Sequence, residues 1–221
     1  MRETSEFDRW WNRPGSWVEP PNIRRGGESG VQLLLPLEPG QPPLFSKRQV
    51  GHIYRSLLHP FGRPTILREI QVYCAFSRLG IATPKLVYGA ARRQPEGWRG
   101  LLITEALQGF VSLEQWYESA RPAALRAAVM RQAARVVARM HRAGWQHGCL
   151  YAKHIFVKAE NGAADDPAIE IALLDLEKAR RRWQSLASRN DMGQLARHCG
   201  KMPDSDLEIF RAAYRAALRG Q

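Results

Sequence analysis

The chain changes character near residue 109, and that change limits the folds open to it. Before it, short apolar runs are cut by glycine and proline. "NIRRGGESGVQLLLPLEPGQPPLFSKRQV" reads as a meander of about three strands separated by a glycine turn and a proline-glycine turn. In "TILREIQVYCAFSRL", Ile66, Ile70, Tyr73, Phe76 and Leu79 recur at three- and four-residue steps, and Gly80 follows where a helix C-terminus favours glycine. "PKLVYGA" and "GLLITEAL" supply two more strands, joined through the charged "ARRQPEGWR". After "QGF" helices dominate. Ser112 and Gln115 have the spacing of a capping box, and residues 122–142 are rich in Ala, Arg, Leu, Val and Met. "HIFVKAENGAADDPAIEIALLDLE" reads as a hairpin with its tip at residues 161–167, and "DMGQLARHC" and "SDLEIFRAAYRAALR" read as helices. The expected class is α+β. An irregular arm, residues 1–22, is anchored by Trp10, Trp11 and Trp17; a small antiparallel sheet with one helix spans 23–109; a helical part spans 110–221.

Composition narrows the surroundings. The 221 residues contain no apolar run near the ~20 needed to span a bilayer, and the N-terminus mixes charges with tryptophans instead of forming a secretory signal. Three widely spaced cysteines, Cys74, Cys149 and Cys199, fit reduced thiols better than a disulfide framework, so a cytoplasmic setting is expected. With 33 basic against 21 acidic residues the formal charge is +12, which favours anionic partners: nucleotides, nucleic acid, anionic lipid or phosphorylated glycans.

The stretch "HGCLYAKHIFV", residues 147–157, carries the most chemistry. It has the rhythm of a kinase catalytic loop, H-R-D-L-x-x-x-N, but Cys149 stands where that loop has its carboxylate base and His154 where it has a metal-binding amide. A thiol with a reference pKa of ~8.5 is a poor base at neutral pH, and Mg²⁺ prefers oxygen to imidazole nitrogen. Phosphoryl transfer relies mostly on positioning and charge neutralisation, so losing the base slows the reaction without necessarily abolishing it. A zinc site built from His147, Cys149 and His154 lacks a fourth ligand in sequence view.

The order of parts resembles a protein kinase-like, bilobal fold with a small antiparallel-sheet N-lobe and a reduced helical C-lobe. More narrowly, "NIRRGGESGV", "FSKRQ", "HGCLYAKHIFV" and "LLDLEKAR" resemble the lipopolysaccharide core (Kdo/heptose) kinase family, in its acid-inducible-protein-like branch, over residues 17–200. The resemblance implies ATP and Mg²⁺ as cofactors. Gly26, Gly27 and Gly30 would approach phosphate oxygens; Lys47, with Arg48 as competitor, would grip the nucleotide phosphates; Glu69 would pair with the lysine; Asp175 would hold the metal, with His154 beside it. His147, Cys149 and His154 would form the loop facing the acceptor, with Glu177 or His147 as a borrowed base. Asp191 resembles the aspartate that supports such a loop, although a helix N-cap would look the same. Only 16 residues separate Asp175 from Asp191, too few for a long peptide-binding activation segment.

The function implied is transfer of a phosphoryl group from ATP to a hydroxyl of a sugar or glycan acceptor such as lipopolysaccharide core, at the inner membrane surface. A pseudokinase that binds nucleotide or scaffolds an envelope stress response is the alternative that Cys149 favours. A basic adaptor for nucleic acid or membrane surface is a third, and the glycine turn and Asp175 argue against nucleic acid.

Overall fold

Side-chain alternation along a few strands decides what meets in the first half of the chain. The computed structural model describes residues 5–24, 27–57, 59–159 and 168–220. It divides into one unit of Met1–Gln71 with Pro84–Gln108 and another of Val72–Thr83 with Gly109–Gln221. The first contains α1 (Glu6–Trp11), β1 (Ser16–Arg24), β2 (Gly27–Leu34), β3 (Leu44–Val50), β4 (Ile53–Ser56), β5 (His59–Pro64), the opening of α2 (Thr65–Arg78), β6 (Leu86–Gln94) and β7 (Gly97–Glu105). Five strands form an antiparallel sheet in the order β1-β2-β3-β7-β6. Leu101 and Ile103 of β7 project to one face, where Phe7, Leu34 and Leu44 complete a buried cluster. Gly100 and Leu102 alternate to the other face. There a Cβ on Gly100 would lie 2.7 Å from Ile66, and one on Gly89 of β6 would lie 2.8 Å from Ile70. These two glycines let α2 approach the sheet closely. Lys47 lies opposite Leu102 in register, so it projects toward the helix.

The expected irregular arm is instead ordered structure. Ser5 caps α1 by accepting the Asp8 N–H, and Phe7, Trp10 and Trp11 fall on one face at three- and four-residue steps against the sheet. The run is only six residues long, too short for a periodicity reading to register. Residues 16–24 are the edge strand β1, which tolerates Pro20 and Pro21 because its pairing with β2 carries two register shifts. Trp17 is 43% exposed and is not an anchor of the kind expected. The β4-β5 hairpin was not anticipated from the sequence, since its residues alternate poorly and carry two prolines.

The second unit contains the rest of α2, then β8 (Val111–Ser112), α3 (Leu113–Trp116), α4 (Ala123–Arg142), β9 (Trp145–Gln146), β10 (Ile155–Ala159), β11 (Ile169–Leu173), β12 (Arg180–Arg181), α5 (Gln184–Arg197) and α6 (Asp204–Leu218). The Ser112/Gln115 capping box is formed. Val129, Met130, Ala133, Ala134, Val137 and Met140 give α4 a buried stripe, while α6 buries Leu207, Phe210 and Tyr214. Burying a side chain the size of Phe210 contributes roughly 1.5–3 kcal/mol. β10 pairs with both β11 and β8, and β12 pairs with β9. The expected hairpin tip at 161–167 lies outside the described residues. Helix α5 starts seven residues before "DMGQLARHC", because its buried stripe is Ala187, Asp191 and Leu195. One of those three is charged, and a hydrophobic pattern skips it.

Candidate functional site

In the first unit, Lys47 Nζ donates to Glu69 Oε2 at 2.8 Å. The glutamate is 3% exposed. Buried carboxylates are tolerated only when paired, so the lysine on β3 and the close approach of α2 together explain why Glu69 can face inward. Arg48, the competitor, instead donates to the Arg13 carbonyl and lies over the Trp11 ring, and burial lowers its pKa. Of the three glycines, Gly26 lies outside the described residues. A Cβ on Gly27 would sit 2.7 Å from the His52 Cα, and one on Gly30 would sit 2.8 Å from the Trp17 ring. Packing alone accounts for glycine at both positions.

In the second unit the loop after β9 is held from beneath by one carboxylate. Asp191 is fully buried within α5; it is not an N-cap. Its Oδ2 accepts the His147 N–H at 2.6 Å and His141 Nε2–H at 3.0 Å, and its Oδ1 accepts the Gly148 N–H at 2.9 Å. Because His141 donates through Nε2, its Nδ1 accepts from the Tyr214 hydroxyl at 2.6 Å, and Ser188 bonds that hydroxyl in turn. Burial raises the Tyr214 pKa, with Asp191 adding to the shift. Gln194 of α5 completes the support, donating to the Gly148 carbonyl and accepting the Leu150 N–H. Gly148 has φ of 82°, and a Cβ there would meet the Lys178 carbonyl oxygen at 2.7 Å, so no other residue suits the position.

The loop side chains form a ring-lined cluster. His147 is buried, and its Nδ1 accepts the Cys149 N–H at 3.2 Å. Its Nε2 makes no hydrogen bond of good geometry among the described residues, and the Leu174 backbone is the polar group that acts on the ring beside Asp191 and Asp175. Burial is the main cause that lowers its pKa to about 4, so the ring is neutral. That suits a brace, not a base reaching an acceptor. His154 Nδ1–H donates to the Cys149 carbonyl at 2.8 Å, which leaves the Nε2 lone pair toward Asp175 Oδ2, 3.5 Å away. Two acceptors that face each other call for a proton or a cation between them. Tyr151 and His147 flank the His154 ring. Cys149 is 2% exposed. Its sulfur, lying near Lys178, raises the lysine pKa, and it contributes, after burial, to a raised Tyr151 pKa. Neither Lys178 nor Tyr151 is flagged by a motif; their only sequence signal is nearness to Asp175 and Cys149.

Asp175 differs from everything around it. It follows β11 with φ of 58° and ψ of 61°, the one non-glycine residue with positive φ among those described. Aspartate tolerates this region better than most residues, yet it costs free energy and marks a constrained position. Its side chain is 42% exposed and accepts no hydrogen bond among the described residues. One exposed carboxylate and one imidazole fit a hard divalent ion that takes its remaining ligands from water and phosphate oxygens. No group of three or more metal-binding side chains occurs among the described residues. The sequence-predicted residues therefore form two sets, Lys47 with Glu69 and His147, Cys149 and His154 with Asp175.

A mixed α+β chain with a five-stranded antiparallel sheet, a lysine-glutamate pair between strand and helix, and an aspartate after a loop-and-hairpin element has the organisation of a kinase-like fold. Residues 8–214 match the sequence profile of the lipopolysaccharide kinase (Kdo/WaaP) family, and the chain belongs to that family. It is 40% identical to Protein InaA of Escherichia coli K12 over 216 residues, covering 96% of each chain. It is 28% identical over 186 residues to the lipopolysaccharide core heptose(I) kinase WaaP of Pseudomonas aeruginosa, covering 76% of this chain and 67% of that protein. Membership implies, at the level of the family, a nucleotide and a divalent metal. No helix among the described residues is long and apolar enough to cross a membrane.

Proposed function

We propose that the protein is an ATP-dependent phosphotransferase acting on a hydroxyl of a sugar or glycan acceptor, with lipopolysaccharide core as the acceptor class. The observation that carries the reading is the Lys47–Glu69 pair, a buried ion pair between a central strand and a close helix whose lysine remains 17% exposed. In this reading Lys47 binds the nucleotide phosphates, oriented by Glu69, and Gly26, Gly27 and Gly30 approach the same phosphates through their backbone. Asp175, with the His154 imidazole beside it, would hold Mg²⁺, which would supply charge neutralisation on the phosphates. The acceptor lies along the His147–His154 loop, where Cys149 in place of a carboxylate predicts slow transfer. Peripheral attachment at the inner membrane is supported by Leu57 and Phe61, fully exposed on the β4-β5 hairpin beside Arg55.

The second reading is a pseudokinase that binds nucleotide without turnover. Cys149 favours it, since its thiol is buried and engaged by Lys178 rather than open to an acceptor. Thermal unfolding with and without Mg·ATP decides whether either reading stands. A ligand at 100 times its Kd stabilises by about 2.7 kcal/mol. That shift is expected for the wild type and lost in both Lys47→Met and Asp175→Ala; its absence in the wild type dismisses both readings. ATP turnover with a lipopolysaccharide core acceptor then separates them. A slow wild-type rate establishes the transferase, whereas turnover only in Cys149→Asp establishes the pseudokinase.

A further inference from the structure

Apart from the His154–Asp175 cluster, the second unit holds a cavity of about 360 Å³ with strongly cationic walls. Arg189, Gly193 and Arg197 line it at four-residue steps along α5, so they share one helix face. The absent side chain at Gly193 leaves a trough between the two arginines, and a Cβ there would come within 3.4 Å of the Arg197 guanidinium. Neither Arg189 nor Arg197 pairs with a carboxylate among the described residues. Arg180 of β12 adds a third cation to the wall.

A second feature points to a ligand. Gln146 of β9 lines the same cavity and is 2% exposed, and its amide oxygen Oε1 is buried with no hydrogen-bond partner among the described residues. A buried acceptor without a donor is costly, and this one borders the trough, where a hydroxyl carried by a phosphorylated ligand would donate to it. Guanidinium groups match the oxygens of a phosphate in bidentate geometry. One arginine suffices for a carboxylate; several around a trough suit a doubly charged group with three peripheral oxygens. The volume exceeds what a lone ion needs and admits a small sugar attached to it.

We propose that the trough formed by Arg189, Gly193, Arg197, Arg180 and Gln146 is a binding site for a phosphomonoester, separate from the nucleotide site. It lies alongside the loop, because Gly148 lines it and Gln194, also on its wall, bonds the Gly148 carbonyl and the Leu150 N–H. A phosphate already present on a glycan, or on a small sugar, would be held there.

Titration calorimetry on the full chain, at fixed ionic strength and without nucleotide, tests the site with inorganic phosphate, glucose 6-phosphate and glucose. Binding of both phosphates but not glucose is expected. Binding of glucose 6-phosphate alone assigns the site to a phosphosugar, and equal binding of the two means that it reads the phosphate group only. Arg189→Ala/Arg197→Ala should weaken binding at least about tenfold, the scale of a lost charge-assisted hydrogen bond. Gly193→Glu, which keeps every arginine but puts a carboxylate into the trough, should do the same and serves if the double variant fails to fold. Arg131→Ala/Arg215→Ala removes the same charge from exposed positions on α4 and α6 and should leave affinity within about twofold. Failure of both phosphates to bind overturns the proposal, and so does equal weakening in the two double variants, which would mean a diffuse basic field. Because no nucleotide is present, either failure leaves the phosphotransfer reading to its own test.

Discussion

Asp191 and Asp175 stand on either side of one loop and are treated in opposite ways. Asp191 is fully buried, helical and saturated, with three N–H groups directed at its two oxygens. Asp175 is partly exposed, held at positive φ, and faced by a histidine lone pair instead of a donor. A buried carboxylate whose two oxygens are both engaged by internal donors has little left to offer a ligand and serves as scaffold. A carboxylate kept open in a costly backbone conformation is available for a ligand.

The contrast breaks first at Asp191. Replacing it by alanine strands the His147 and Gly148 N–H groups and His141, and should cost about 3–5 kcal/mol in urea unfolding. A loss under 1 kcal/mol would mean that the network is not holding the loop. Next comes pH. His147 is neutral in the fold with a pKa of about 4, against about 6.5 when unfolded, so the unfolded state binds the extra proton first. The contribution is present above about pH 6.5 and is lost as pH falls toward 4, a decrease of about 3 kcal/mol. Urea midpoints of wild type and His147→Gln measured from pH 7 to 4 should converge by about that amount; parallel curves would show that the ring titrates freely. Tyr214→Phe removes a hydroxyl from the outer part of the Asp191 network and should cost about 1 kcal/mol. The smallest effect belongs to Asp175→Gly. Glycine accepts the backbone conformation without strain, so stability should stay level or rise by up to about 1 kcal/mol while the Mg·ATP shift disappears. If Asp175→Gly were as damaging as Asp191→Ala, the two carboxylates would not differ in kind.

Much of this was legible in sequence because it depends on spacing. The α2 stripe, the capping box at Ser112 and the strand pair β6-β7 follow from periodicity, and the candidates Lys47, Glu69 and Asp175 from the family resemblance. What could not be read depends on contacts between distant residues. Asp191 resembled a loop-supporting aspartate and a helix cap alike, and only its donors, from residues 44 and 43 positions away with His141 50 away, decide for the first. Gly148 is explained only by its φ and the Lys178 carbonyl, and the Lys178–Cys149 contact joins two elements on either side of a hairpin. Helix α1 was missed because three aromatic residues in six give too short a pattern, and they are stabilised by the sheet beneath them.

The anchoring of residues 147 and 148 by a helix that comes so much later has a consequence for biosynthesis. As the chain leaves the ribosome, the loop emerges before the carboxylate that shapes it, and His141 waits longer still for the hydroxyl of Tyr214. Until those last helices arrive, the segment has backbone donors with no internal partner, and nascent polypeptide halted short of α5 would have no means of fixing it.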